Sequence, residues 1–326
     1  MKHALLLAEP MIDDVETQLS AEFDVYRLHN PADAPLIEQR LNDFRVVATG
    51  GGVGISTQWV ERLPLLKVIA INGVGLDKVD LAHAGQRGIH VTNTPGVLTG
   101  DVADLAMGLI IATLRHMNQG EKLVRSGQWA AGSTLPLGTR LAGKTVGILG
   151  LGQIGQAIAR RAAAFDMQIA YWNRSAVETP QQWERVATPE ELAAKADILM
   201  VAIAANPATQ GLVSSAMLAA LGRKGFLVNV SRGSVVDEAA LITALTNGTI
   251  AGAGLDVFWN EPAINPVFGN LDNVVLMPHQ GSATGETKAE MGRIVLANIA
   301  AAMAGEIPPA SVNAALIRRD TASASR

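Results

Sequence analysis

Three apolar runs late in the chain each end on a side chain able to do polar chemistry. Phe226–Asn229 leads into Val230-Ser231-Arg232, Ile250–Leu255 into Asp256 and then Glu261, and Val274–Met277 into Pro278-His279. A guanidinium can grip a carboxylate through two parallel N–H bonds and polarise a neighbouring carbonyl oxygen. An imidazole can deliver a proton near neutral pH, and a carboxylate beside it orients the ring and favours its charged form. Singly, each has a plain reading: a surface arginine after a strand, a solvated glutamate before Pro262, one idle histidine of six. Jointly they close successive strands, and in an open parallel sheet the strand ends converge on the edge where ligands bind.

That edge has a second marker. Thr145-Val-Gly-Ile-Leu149 has the composition of a buried parallel strand, and Gly150-Leu-Gly152-Gln153-Ile154-Gly155 follows at once. A breaker-free helix over Gln156–Phe165 and a second strand over Met167–Trp172 complete the unit. Glycine spacing alone is weak, since any glycine-rich turn can show it. Strand, turn, helix and strand together are the context of a dinucleotide fingerprint. Gly150 permits the tight turn, Gly152 lets a pyrophosphate approach the backbone, and Gly155 lets the helix pack on the strand. The helix N-terminus offers unpaired N–H groups to the phosphates. At the end of the second strand, where an acid would hold the ribose 2′-hydroxyl of NAD, the chain has Asn173-Arg174-Ser175. No carboxylate repels a 2′-phosphate there. Arg174 can pair with one, and Asn173 and Ser175 can donate to it. This favours NADP(H), with NAD possible. A solvated turn with an incidental arginine is the alternative.

These residues need elements to carry them. A chain of 326 residues fits two domains better than one core. With 48% hydrophobic but only 4% aromatic residues, the cores are expected to be Ala, Val, Leu and Ile packed in α/β layers. A net charge of −4 gives no global argument for nucleic acid. The lack of cysteine excludes disulfides, thiolate catalysis and Cys-ligated metals, fits a reducing compartment, and leaves no metal called for. Met1–Ala8 begins like a leader, but Glu9 and Pro10 break the apolar run, and no stretch is long enough to span a membrane. A cytoplasmic protein with no membrane partner is expected.

Strands are expected at Ala4–Leu7, Asp24–Arg27, Val46–Thr49, Lys67–Ile71 and Ile89–Thr92, with helices between them, which implies a small parallel α/β unit. Gly50–Gly54 is a flexible turn without the Lys and Ser/Thr of a P-loop. Asn72-Gly73-Val74-Gly75 lies at a strand end, where its N–H groups could hold a small carboxylate. A turn before a helix explains the segment equally well. Asn93–Thr99 is punctuated like a boundary. The helix expected over Asp101–Arg115 is apolar almost all round, which suits either a linker wedged between domains or subunits or a plain core helix. Beyond the fingerprint, helices are expected from Thr188, over Ser214–Leu221, over Asp237–Thr246 and over Glu286–Ala304, with a frayed polar end at Arg318–Arg326.

Over nearly its whole length the chain resembles the D-isomer-specific 2-hydroxyacid dehydrogenases. The matching segments include Gly73-Val-Gly-Leu-Asp-Lys-Val-Asp80, Val91-Thr-Asn-Thr-Pro95, Asp101-Val-Ala-Asp-Leu105, Val146–Gly155, Asn229-Val-Ser-Arg-Gly233, Gly254-Leu-Asp-Val-Phe258 and Pro278-His279. Asp101-Val-Ala-Asp with Asn173-Arg-Ser is most similar to the NADPH-using hydroxypyruvate, glyoxylate and hydroxyphenylpyruvate reductases. The resemblance implies two doubly wound parallel-sheet domains, a Rossmann nucleotide domain inserted into a flavodoxin-like substrate domain. It places the substrate domain at 1–99 with 285–326 and the nucleotide domain at 100–284. The family's catalytic arginine, acid and histidine fall on Arg232, Glu261 and His279, and the acid near the nicotinamide carboxamide falls on Asp256. Further cofactor contacts are implied at Gln153, Ile154, Val230, Ser231 and Gly281, and carboxylate binding at Asn72–Gly75 with Arg232. Asn206 departs from the Thr that many relatives carry before the proline, and a change of local contacts only is expected.

The implied activity is reduction of a small 2-keto acid of the glyoxylate/hydroxypyruvate class to the D-2-hydroxy acid with NADPH, in a homodimer. The substrate pocket is open between Gly51–Gly54 and Leu135–Leu137, the latter from the same or a neighbouring subunit. Two other readings stand beside this one. One keeps the scaffold with another substrate, phosphite or a sugar-derived 2-keto acid. The other is a nucleotide-sensing corepressor-like binding protein, a role compatible with an intact Arg232, Glu261 and His279.

Overall fold

The computed structural model describes residues 2–317, so Arg318–Arg326 lies outside the described residues. Two compact units emerge: one runs up to Leu98 and resumes at Ala283, and the other is Thr99–Ser282, inserted between those parts of the chain.

The first unit is built on a parallel sheet of β1 (His3–Leu7), β2 (Phe23–Arg27), β3 (Phe44–Gly50), β4 (Val68–Asn72) and β5 (His90–Thr92), in the order β2-β1-β3-β4-β5. This is the flavodoxin-like order that the family resemblance implies. The strands read as continuous apolar runs because both faces are covered. Ala4 and Leu6 pack with Val60, Leu63 and Ala84, whereas Leu5 and Leu7 pack with Val15, Leu19, Val295 and Ile299. Each such leucine contributes about 1.5–3 kcal/mol by leaving water. The long helix Gly285–Met303 lies against the helix Asp13–Glu22. A Cβ on Gly292 would stand 2.1 Å from Val15 Cγ2, so the glycine sets how closely these helices meet. Asn313 closes the open edge of β5: its Oδ1 accepts from the Val91 N–H and its Nδ2 donates to the Ile89 carbonyl, both at 2.9 Å.

The second unit carries β6 (Thr145–Leu149), β7 (Gln168–Trp172), β8 (Glu184–Arg185), β9 (Ile198–Val201), β10 (Phe226–Asn229), β11 (Gly252–Leu255) and β12 (Val274–Leu276), all parallel, in the order β12-β11-β10-β9-β6-β7-β8. From β6 the chain builds outward through β7 and β8, then reverses and builds the other way from β9. A crevice opens above such a reversal, and ligands of doubly wound sheets sit there. The apolar helix is found at Thr99–Leu114 and packs inside this unit, against the helix Gln153–Ala164 and strands β10 to β12. Gly254 allows that packing, since a Cβ there would stand 3.2 Å from Leu109 Cβ and 2.9 Å from Thr113 Oγ1. Elements not expected from sequence include the helix Met117–Arg125, which buries no residue, and the two-residue edge strand β8. Among the described residues, no helix is long and apolar enough to cross a membrane.

Candidate active site

The glycine turn has the backbone that its sequence demands. Gly150 sits at φ +95°, and a Cβ there would stand 2.5 Å from Ile203 Cα. A Cβ on Gly155 would stand 2.2 Å from the Gly150 carbonyl oxygen. At Gly152 an added Cβ would meet nothing within 4 Å, so the backbone faces open space on that side. No side chain caps the helix that starts at Gln153, and Ile154 and Gly155 complete its first turn. An uncapped twelve-residue helix end beside a bare glycine fits a pyrophosphate.

Asn173 is differently employed from what its sequence position predicts. Its Oδ1 accepts from the Leu151 N–H at 3.2 Å, and its Nδ2 donates to the Ser175 carbonyl at 3.0 Å and to Ser175 Oγ at 3.4 Å. The amide therefore braces the end of β7 against the glycine turn. Arg174 and Ser175 are exposed on the rim of that strand end.

Arg232, Asp256, Glu261 and His279 all stand just beyond β10, β11 and β12 of this unit. Asn229 ties down the first of these turns. Its Oδ1 accepts from Ser231 N–H at 3.0 Å and its Nδ2 donates to the Arg232 carbonyl at 2.9 Å, with Asn229 itself buried. Val230 N–H bonds the Val201 carbonyl, and Ser231 Oγ donates to the Ile203 carbonyl, so both residues join the end of β10 to that of β9. Gly233 is required next. A Cβ there would stand 2.0 Å from the Phe258 carbonyl carbon and 2.4 Å from Trp259 N, and this absence of a side chain brings the Arg232 turn onto the loop that carries Glu261.

Glu261 and His279 are hydrogen-bonded, Nδ1 to Oε2 at 2.6 Å. Glu261 Oε1 also accepts from the Phe258 N–H at 2.7 Å. Burial pushes the Glu261 carboxyl up, but the bonds from His279 and Phe258 and the charges of His279 and Arg232 outweigh it and hold the group below its ordinary 4.5. A carboxyl lowered in the folded state adds stability that is present above its unfolded value and lost as pH falls through the lowered one.

His279 adopts φ +54°, a left-handed conformation that costs a non-glycine residue energy and persists where the surroundings dictate it. Asp256 supplies those surroundings. The His279 N–H donates to the Asp256 carbonyl at 2.9 Å, and the Asp256 carboxylate accepts from Gln280 N at 2.6 Å and Gly281 N at 2.9 Å. Burial raises the Asp256 carboxyl, and these N–H bonds with the His279 charge offset only part of that rise. Sequence reading placed Asp256 and Gly281 against the cofactor; in the structure each is bound to the other, and Asp256 is 1% exposed. Asn229 and the brace at Asn173 escaped the sequence reading, because an Asn gives no sign of which backbone it will bind.

The segment Asn72–Gly75 belongs to the other unit, at the end of β4. Gly73 and Val74 turn their carbonyls to Thr94 N and Asn93 Nδ2, and a Cβ on Gly73 would stand 3.2 Å from Gly51 N. Asn206 makes only local bonds, accepting from Ala208 N and donating its own N–H to Thr209 Oγ1, both at 2.9 Å.

A Rossmann sheet with a bare glycine turn, and a histidine–carboxylate pair beside an arginine on the same edge, defines a class: a nicotinamide-nucleotide-dependent oxidoreductase. The chain belongs to the D-isomer specific 2-hydroxyacid dehydrogenase family, whose NAD binding domain matches residues 107–281. It is 42% identical over 303 residues to the glyoxylate/hydroxypyruvate reductase A of Arabidopsis thaliana, covering 93% of this chain and 96% of that one. It is 42% identical over 301 residues to a 2-ketogluconate reductase of Gluconobacter oxydans, covering 92% and 95%. Among solved structures, the NADPH-dependent glyoxylate/hydroxypyruvate reductase of Sinorhizobium meliloti in complex with NADP and malonate superposes with a TM-score of 0.89 at 40% identity, covering 97% of this chain and 98% of that one.

Proposed function

We propose that this protein reduces a small 2-keto acid of the glyoxylate/hydroxypyruvate class to the D-2-hydroxy acid with NADPH, NADH serving less well. The observation that carries this reading is the 2.6 Å His279–Glu261 pair beside Arg232 on the nucleotide edge. The reductases named above support the choice of substrate and cofactor.

On this proposal the unit Thr99–Ser282 is the nucleotide domain and the remainder the substrate domain. The glycine turn and the helix end at Gln153–Gly155 hold the pyrophosphate, and Arg174 the 2′-phosphate. When bound, the cofactor supplies the hydride. Arg232 holds the substrate carboxylate and polarises its keto oxygen. His279 enters as imidazolium, Nδ1 toward Glu261, and gives its Nε2 proton to the keto oxygen as negative charge develops there. Glu261 fixes the ring and balances its charge. Asp256 and Asn229 hold the two turns in place through backbone bonds.

A second copy of the chain is proposed to cover the segment after the helix Thr99–Leu114. Met117 is 55%, Trp129 65% and Leu137 98% exposed, large apolar side chains that a second copy would cover. A cytoplasmic homodimer without nucleic-acid or membrane partners is the assembly proposed.

Replacing Glu261 by Gln removes the carboxylate that holds the ring at Nδ1, so kcat for reduction is expected to fall by about tenfold to a hundredfold with KM for NADPH unchanged, and an unchanged kcat would show that the two groups do not act together. The cofactor assignment is tested by steady-state kinetics with both nucleotides at saturating keto acid. A charge-assisted bond of about 1.5–3 kcal/mol gives NADPH an advantage of about tenfold to a hundredfold. Added salt should erode it, since an exposed phosphate–arginine pair is screened. A parent enzyme that prefers NADH would overturn the NADPH assignment.

A further inference from the structure

We infer that Arg185, on the edge strand β8, is a second guanidinium for the 2′-phosphate and shares with Arg174 the selection of NADPH. The inference rests on the NADPH reading above and adds a residue to it.

β8 runs parallel to β7 with Arg185 beside Tyr171, yet the Arg185 side chain reaches two residues further along, where its Nη2 donates to the Asn173 carbonyl at 3.3 Å. The guanidinium is thus carried to the carboxyl end of the sheet, next to Asn173-Arg174-Ser175. This is the position that a ribose-binding acid takes in such folds. Both arginines are exposed, and among the described residues neither has a carboxylate within ion-pair distance. The neighbouring acid, Glu184, is bound to Lys195 Nζ at 2.6 Å and turned to other use. The Arg185 guanidinium is bonded to the residue that precedes Arg174, so an anion bound at this strand end would be drawn to both positive charges.

Stoichiometry of charge points the same way. A phosphate monoester carries about −1.5 to −2 at neutral pH, so one arginine leaves it under-neutralised and two nearly match it. Asn173, the other polar group at hand, has its amide committed to Leu151 and Ser175. Arg185 spends one N–H on a backbone carbonyl and keeps the rest of its planar fork for a phosphate. The carbonyl bond also restricts the long side chain before the ligand arrives, which lowers the entropy cost of binding.

The test compares the parent enzyme with Arg185→Gln, Arg185→Lys and Arg174→Gln. Two quantities are read: kcat/KM for NADPH and NADH with one keto acid, and the calorimetric Kd of adenosine 2′,5′-bisphosphate against 5′-AMP. Arg185→Gln is expected to lower the NADPH/NADH ratio by about tenfold, with kcat/KM for NADH unchanged. It should weaken the bisphosphate but not 5′-AMP, and Arg185→Lys should recover part of the loss. An unchanged ratio in Arg185→Gln, with Arg174→Gln still losing it, would overturn the role of Arg185 and leave the NADPH reading standing. Equal weakening of both nucleotides would also overturn it, by making Arg185 a brace for the turn. A parent without preference for NADPH would remove both.

Discussion

His279→Ala is expected to lower kcat for keto-acid reduction by about two to four orders of magnitude, the usual worth of a positioned general acid, while NADPH binds nearly as before. The separation follows from where the ring sits. His279 is held by its own N–H on the Asp256 carbonyl and by Nδ1 on Glu261. Truncation at Cβ removes the proton source but keeps the backbone bonds of Gln280 and Gly281 to Asp256. The glycine turn, built on β6 and the following helix, is untouched. Pre-steady-state mixing with fluorescence-monitored NADPH binding distinguishes the two effects. Near-normal turnover in this variant would remove His279 from the chemistry.

Arg232→Lys keeps the charge and is nevertheless expected to lose about a hundredfold to a thousandfold in kcat/KM, comparable to removing a donor from a preorganised anion site. A carboxylate with an adjacent keto oxygen needs a planar donor with two prongs, and an ammonium is a point charge on a flexible stem. The structure orients the fork locally: Arg232 Nη1 donates to the Ser231 carbonyl at 2.8 Å, and Asn229 fixes the peptide on either side. If lysine restores most of the rate, Arg232 acts through charge alone and the two-pronged contact is wrong.

Both expectations concern residues that were legible before any coordinates. Most strands of both sheets could be read because they are buried on two faces, so that 4–7 or 226–228 appears as an unbroken apolar run. Arg232, Glu261 and His279 stood out because a polar side chain at such a strand end has no packing reason to be there. The helix Met117–Arg125 is amphipathic but only nine residues long, has Gly120 within it and buries nothing, so no core requirement marks it. β8 is only two residues long and polar, so nothing in the sequence marks it as a strand or singles out Arg185. Asn173 and Asp256 show a different limit. Residue type identified them as polar groups near a nucleotide, but their partners, Leu151 for one and Gln280 with Gly281 for the other, lie 22 to 25 positions away in sequence. Only the fold decides which backbone N–H donors such groups bind.

A stereospecific, NADPH-driven reduction is tested by incubating the protein with hydroxypyruvate and NADPH and resolving the enantiomers of the product, since the other acceptor, glyoxylate, gives an achiral alcohol. One D-glycerate is expected for each NADPH consumed, with slower consumption of NADH. L-glycerate, or no oxidation of NADPH with either keto acid, would contradict it.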